Sequence, residues 1–584
     1  MEPRRLILAV VLMAAVLFAS NVLFPTPKPS AAEIAKLRSD SIARVTATDS
    51  AARALTVTGG PAVVAGTAAN AGTPAASVGT TLDSPAAIAA AQAAAIDTTV
   101  VVTERATFRT TNRGGALIGA QMSNYKALEN KSRVKGDPVE LARAGDRLIG
   151  FRFVNPNGDT VRVDQATFRT KQGETNGHKT VRYDATVGEY PMSIEYSFRP
   201  DSYRVNVAVK VENAASGFVL MDLPPGFHSS EADTVEDANH LSYALKNEKR
   251  SPEGVAFRSL DPGEHEVKAG PITWVVAKNK YFLVGVLTPV GAPGFDQVDV
   301  TGGVRATKQA TRAQATIVTS LKSGSAAFEM YVGPQEFKRL VAVGREFETS
   351  NPYGGWLQGI VQPFATMVIR VLLWMKQTLG LGYGWILILF GVTIRIILWP
   401  LNQKAMRSSM AMQRLQPELT AIQAKYKGDP QRLQTEMMKL YKEHNMSPFS
   451  SLSGCLPMLI PLPVFFALFF VFQNTIEFRG VPFLWLPDIS IKDPFYVLPI
   501  AVAITAMALS WIGMKGMKAN DQQKIMMYMM PAMMLLFFFN MASGLNLYYL
   551  VQNLASLPQQ WLIAHERSKN AAAGPLIREL KPKS

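Results

Sequence analysis

The sequence is poor in the residues from which most catalytic and metal sites are built. One cysteine, Cys455, and six histidines are spread over 584 residues. A lone thiol excludes an intramolecular disulfide and a cysteine-based metal site. Cys455 reads as a small apolar residue in a span. His178, His228, His240 and His265 lack ligand-like spacing, while His444 and His565 fall outside the apolar runs. Neither a His-Glu-x-x-His zinc site nor a Gly-rich phosphate loop is present. None of the long apolar runs holds Asp, Glu or His, which a proton- or ion-coupled transporter needs inside the bilayer. The Lys and Arg behind the net charge of +15 are dispersed rather than clustered to grip phosphates, which argues against DNA as a partner. These absences point to a protein that is not an enzyme, needs no metal or cofactor, and moves or folds other molecules.

What is present is hydrophobicity with a pattern. Apolar residues make up 48% of the chain, concentrated at the start and in the last third. Arg4 and Arg5 precede an apolar run to Phe24 that is just long enough to span, so residues 1–24 read as an uncleaved signal anchor. Residues 25–98, rich in Ala, Thr and Pro, cannot bury a core and read as a disordered linker. From Thr99 the texture alternates apolar with polar, as in Thr107-Phe-Arg-Thr, Leu148-Ile-Gly-Phe-Arg-Phe-Val and Tyr203-Arg-Val-Asn-Val-Ala-Val-Lys-Val. That period of two predicts an all-β sandwich over 99–345, with a scaffolding or partner-binding role. Trp356, Ile360, Phe364, Met367, Val371 and Trp374 recur at helical spacing, predicting an amphipathic helix over 355–378 that lies in the membrane interface.

Five further apolar segments fill 383–565. The connection after the first carries Lys404, Arg407, Arg414, Lys425, Lys427, Arg432, Lys439 and Lys442, and the positive-inside tendency puts it in the cytoplasm. Both termini follow, with a basic tail over 566–584, and the β domain is left outside. The fold class is therefore a polytopic α-helical membrane protein with six transmembrane helices plus an all-β sandwich domain on the outer side. The basic connection itself reads as a helical hairpin over 403–446. Leu415 and Leu419 share one apolar face, Leu433 and Met437 another, and Gly428-Asp429-Pro430 supplies a stop, an N-cap and a first helical position. It reads either as a solvated link between spans or as a contact surface for an incoming chain.

One span carries a charge. Arg395 lies in Ile-Leu-Phe-Gly-Val-Thr-Ile-Arg-Ile-Ile-Leu-Trp-Pro400, where a cation costs roughly 2.5 kcal/mol or more at the bilayer centre. Amides and tyrosines lie in or near other spans: Gln473, Asn474, Asn540, Asn546, Tyr548, Tyr549, Gln552 and Asn553. Methionines crowd another, at positions 526, 527, 529, 530, 533 and 534, suited to surfaces that accept many partners. The amides are either interhelical glue or, with Arg395, the lining of a polar groove.

Several segments carry a resemblance: Thr393-Ile-Arg-Ile-Ile-Leu-Trp-Pro-Leu, Leu415-Gln-Pro-Glu-Leu, Asn445-Met-Ser-Pro, Gly454-Cys-Leu-Pro-Met-Leu-Ile-Pro-Leu-Pro-Val-Phe, Asp493-Pro-Phe-Tyr-Val-Leu-Pro, Gln522-Gln-Lys-Ile-Met and Ser543-Gly-Leu-Asn-Leu-Tyr-Tyr. With the order anchor, β domain, five spans, the chain resembles the bacterial membrane protein insertases of the YidC family, of the Gram-negative type with a large periplasmic domain. The resemblance implies an inner-membrane insertase and chaperone. Its groove holds Arg395 and the pair Tyr548 and Tyr549, with Thr393, Gln473, Gln552 and Asn553 as further candidates. The implied partners are nascent membrane proteins, the Sec translocon, the ribosome and membrane lipids. Two departures stand out: Pro461 where the family often has Gln, and Gly391 where it has a polar residue one turn before the arginine. The alternative reading is a secondary transporter or channel with Arg395 as an anion site, and a third has Arg395 merely snorkelling.

Overall fold

The structure, a computed structural model, describes residues 96–128, 136–214, 216–305, 309–353, 358–426, 428–443, 462–515 and 521–572. The signal anchor, nearly all of the linker, Trp356, Cys455, Pro461 and the end of the basic tail lie outside the described residues.

Residues 98 to 334 form the β domain. Four strands, Thr98–Val102, Ala106–Thr111, Leu117–Lys126 and Pro138–Glu140, pair antiparallel in chain order. Fourteen more form a second antiparallel sheet, whose path runs from the edge strand Thr160–Val161 to the edge strand Arg169–Thr175. The expected alternation is plain in Arg204–Val211, where every second side chain is buried. The central strand Phe282–Leu287 is buried on both faces, as a strand covered by a second layer must be. Gly285 is needed there, because a Cβ would lie 2.7 Å from the Phe347 ring. Two buried tyrosines satisfy their hydroxyls internally: Tyr183 donates to Thr110 Oγ1 at 2.7 Å and Tyr196 to the Gly115 carbonyl at 2.6 Å. One continuous apolar cluster runs through both sheets.

The remaining elements are helices: α1 (Thr234–Asn239) and α2 (Phe337–Val343) in the β domain, then α3 (Gln358–Leu379), α4 (Tyr383–Lys425), α5 (Pro430–Glu443), α6 (Leu462–Asn474), α7 (Val497–Met514), α8 (Asp521–Phe538) and α9 (Ser543–Ala572). Helices α3, α4, α6, α7, α8 and α9 share a second apolar cluster. Two departures from the sequence reading appear. First, α4 passes Pro400 and runs unbroken from the apolar run into the basic segment. The expected boundary near residue 402 is absent because no glycine interrupts 392–425, and a proline costs one ladder hydrogen bond without forcing a stop. Helix α5 then begins at Pro430, with Asp429 Oδ1 accepting from the Arg432 N–H at 3.1 Å.

Second, fewer crossings than the expected six are seen among the described residues, and residues 1–24 and 455–461 of the expected spans lie outside them. Among the described residues three helices are long and apolar enough to cross a membrane: Gln358–Leu379, Tyr383–Pro400 and Val497–Met514. Two shorter apolar helices are Phe465–Asn474 and Tyr528–Phe538. The first of the three is the helix expected to lie in the interface. It buries Val361, Ala365, Val368 and Leu372 while Met367 and Trp374 are exposed, so its length and hydropathy equally suit a crossing.

The two clusters meet at a joint. After α6 the chain turns through Ile476–Phe478, and Ile476 enters the β-domain core. Arg479, almost fully buried, sits 2.6 Å from Glu231 and over the rings of Tyr281 and Phe282, and it donates to the Lys126 carbonyl at 3.0 Å. Glu477 Oε1 accepts from the Phe337 N–H at 3.0 Å. The segment after α6 therefore lies on the same side as the β domain.

Candidate functional site

Helices α4 and α9 pack along each other, and Gly391 is what lets them. A Cβ at Gly391 would stand 3.0 Å from Val551 Cγ1 and 3.6 Å from Tyr548 Cδ2. The bare backbone instead exposes the Gly391 carbonyl, which accepts from Gln552 Nε2 at 2.8 Å. The same amide donates to the Tyr548 hydroxyl at 3.1 Å. Gly391 thus contributes a main-chain acceptor to the seam.

One turn further along α4, Arg395 is half-buried. Its Nη2 donates to Gln559 Oε1 at 2.6 Å. Gln559 is fully buried, and its Nε2 reaches the Trp399 carbonyl and Gln403 Oε1, both at 3.3 Å. Arg395 Nε is buried without a hydrogen-bond partner. Among the described residues no carboxylate pairs with Arg395. The guanidinium lies 12 residues into α4 from Tyr383, about 18 Å at the helical rise. A polar ladder therefore runs along the α4–α9 seam: Tyr548, Gln552 and Gly391, then Arg395, Gln559 and Gln403.

The other candidates go elsewhere. Thr393 is exposed, because two residues of helix turn it about 200° from Arg395. Gln473 is half-buried in the last turn of α6, beside the β-domain joint. Asn553 donates to Thr505 Oγ1 at 3.0 Å and the Val502 carbonyl at 3.2 Å, tying α9 to α7. Tyr549 meets the Tyr548 ring edge to face but packs against Phe538 of α8 and Phe465 of α6, while Tyr548 packs on Phe390 of α4. So Arg395, Tyr548 and Gln552 line one seam, and Thr393, Gln473, Tyr549 and Asn553 do not join it. Gln559 and Gln403 escaped the sequence reading. The signal was there in the spacing: Gln552 and Gln559 follow Tyr548 by four and eleven residues, which keeps all three on one helical face.

Two further surfaces matter. In α8, Tyr528, Met533, Leu536 and Phe537 are exposed, a large apolar face that no described residue covers fully. Between α7 and α8 an open groove of about 610 Å³ is lined by Ile500, Ile504, Met507, Trp511, Tyr528 and Leu535 among others, and includes none of the polar seam. In the hairpin, Leu433 and Met437 are half-buried on α5; Leu415 and Leu419 lie within α4, and Leu440 and Tyr441 are buried.

Comparisons with known proteins cover most of these elements. Residues 98–367 match the family model of the YidC periplasmic domain, and residues 374–570 match that of the 60Kd inner membrane protein. A protein from Chlorobaculum parvum called membrane protein insertase YidC is 31% identical over 487 residues, covering 77% of this chain and 80% of its own. One of that name from an Anaeromyxobacter species is 35% identical over 296 residues, covering 50% of this chain and 51% of its own. Among solved structures, an active YidC insertase with its first transmembrane domain resolved matches at 18% identity and a TM-score of 0.32, covering 80% of this chain and 93% of that one. The Thermotoga maritima YidC structure matches at 15% identity and a TM-score of 0.26, covering 79% and 99%.

Proposed function

This chain belongs to the YidC family of membrane protein insertases, and we propose that it integrates newly made proteins into the bacterial inner membrane and helps them fold there, through a groove walled by Arg395, Tyr548 and Gln552. It acts alone or with the Sec translocon. The observation that carries this reading is the pairing of Arg395 with a neutral amide and with no described carboxylate. A structural ion pair would cancel the charge. An uncancelled cation in the bilayer instead holds water and attracts acidic tails.

The chemistry is one of lowered barriers. A client's polar tail must lose its water to cross, at a cost of several kcal/mol for each unpaired polar group. The seam offers that tail hydrogen bonds part of the way in. The client's apolar segment meets the uncovered face of α8 and then lipid, and its burial, worth roughly 25 cal/mol per Å², drives the step. No covalent chemistry and no cofactor enter. The β domain, residues 99–345, is a scaffold held at the outer side, and the anchor over 1–24 and the core over 383–565 hold it to the membrane. With both termini in the cytoplasm, the hairpin over 403–446 receives the chain through Leu415, Leu419, Leu433 and Met437. The tail over 566–584 assists at the ribosome.

Insertion of a matched client series into vesicles carrying each variant tests the reading. Arg395→Lys retains most activity, because a charge and not the planar fork is required. Arg395→Ala loses acidic-tail clients on the order of tenfold, the ratio set by about 1.4 kcal/mol, while neutral tails suffer less. Arg395→Glu is worse than Ala. Equal insertion of all clients by the Ala variant overturns the groove reading.

A further inference from the structure

The insertase reading leaves open how Arg395 is kept charged and aimed. We infer that Gln559 is the positioning residue of Arg395 and sets the preference for acidic tails, holding the guanidinium by an amide oxygen that does not neutralise it. This rests on the proposed groove, and adds to it a residue with a role of its own.

The orientation of the amide is fixed from both ends. Arg395 has only donors, so it must meet the oxygen. The Trp399 carbonyl has only an acceptor, so it must meet the NH2, which lies 3.3 Å away. Both demands agree, and Gln559 Oε1 faces Arg395 Nη2 at 2.6 Å. Gln403 Oε1, also 3.3 Å from the Gln559 NH2, adds a third point that keeps the amide from rotating. Gln559 is fully buried, so water does not compete for these bonds.

The amide matters because of what its isostere would do. A glutamate has the same length and shape as glutamine and would bring one carboxylate oxygen to the guanidinium, although its other oxygen would face the Trp399 carbonyl to which the amide now donates. Its carboxylate would pair with the guanidinium in a poorly screened environment and cancel the field that a client's acidic tail feels. An apolar residue of similar size would leave the charge but release the guanidinium to other rotamers. Both substitutions fall on selectivity between tails, which a purely structural role in helix packing would not move. Loss of packing would depress all clients together.

The test uses the full-length protein in vesicles and the ratio of insertion of an acidic-tail client to a neutral-tail client. Gln559→Glu should drop the ratio to that of Arg395→Ala, on the order of tenfold. Gln559→Leu should lower it only partway. If Gln559→Glu does not accumulate, the Leu variant decides, since an unchanged ratio there shows that the acceptor is not needed. If Arg395→Ala loses the ratio and Gln559→Glu keeps it, the role assigned to Gln559 is wrong and the groove stands. If Arg395→Ala itself keeps the ratio, the groove reading falls and this inference with it.

Discussion

A single missing side chain controls the seam at the residue scale. Gly391 lets α9 approach α4 closely enough for Gln552 to bond its carbonyl, and a Cβ there meets a Val551 methyl at 3.0 Å. Gly391→Ala therefore forces a shift of a few tenths of an ångström. Gly391→Leu should overpack the seam and destabilise the protein by roughly 1–3 kcal/mol, read as a lower melting temperature in detergent. Its effect on insertion should fall on acidic and neutral tails alike, because Arg395 and Gln559 keep their contact. A selective loss of acidic clients would show that the two halves of the ladder are coupled. Asn553, which reads from the sequence as equally polar, works differently: its bonds to Thr505 and Val502 make it a tie between α9 and α7.

At the scale of elements, the joint between β domain and helices carries its own titration. Burial pushes the Glu477 carboxyl up to about 7, opposed by the Phe337 N–H. Burial also raises Glu231 to about 7, with Arg479 opposing. Acids whose folded values lie above their ordinary one bind protons more tightly in the folded state. Their contribution is complete below about pH 4.5 and is lost as pH rises through about 7. The melting temperature should accordingly fall between pH 5 and pH 8. Glu477→Gln should flatten that slope and raise the melting temperature above pH 7, where the native carboxylate is ionised with Oε2 lacking a partner. A slope that the substitution leaves untouched would assign the pH dependence to Glu231 or to groups away from the joint. Part of this joint lies in the loop after α6, which as a sequence shows only a scarcity of cations.

For the whole molecule the decisive quantity is which loops face which side. We expect the hairpin inside and the 476–493 loop outside with the β domain. A cysteine at the exposed Gly428, in a Cys455→Ser background, should react with a membrane-impermeant maleimide only from the cytoplasmic side. Within that loop Ser490 is buried, at 2% exposure. Leu484, at 68%, is the better position and should react only from outside. Labelling of Gly428 from outside would reverse the topology, and with it the side on which the basic segment of α4 receives clients.

Features that depend on near neighbours in the chain were legible before any fold was known. A period of two marked the strands of the β domain. Composition and apolar length marked the helices, Asp429 and Pro430 marked the start of α5, and the cost of a charge in a span singled out Arg395. The chain does not state what depends on how helices cross. That Gln559 and not Asn553 meets Arg395, that Gly391 serves as an acceptor, and that Tyr548 and Tyr549 serve different seams all follow from the rotation of α9 against α4, α6 and α7. Consecutive helical residues point about 100° apart, so one polar cluster in the sequence is divided among several neighbours in space. The number of crossings is hidden for a related reason. An apolar face looks the same whether it will be covered by lipid, as a span, or by the bundle, as the inner face of α3. Only the packing that buries Val361, Ala365, Val368 and Leu372 and leaves Met367 and Trp374 bare distinguishes one face of that helix from the other.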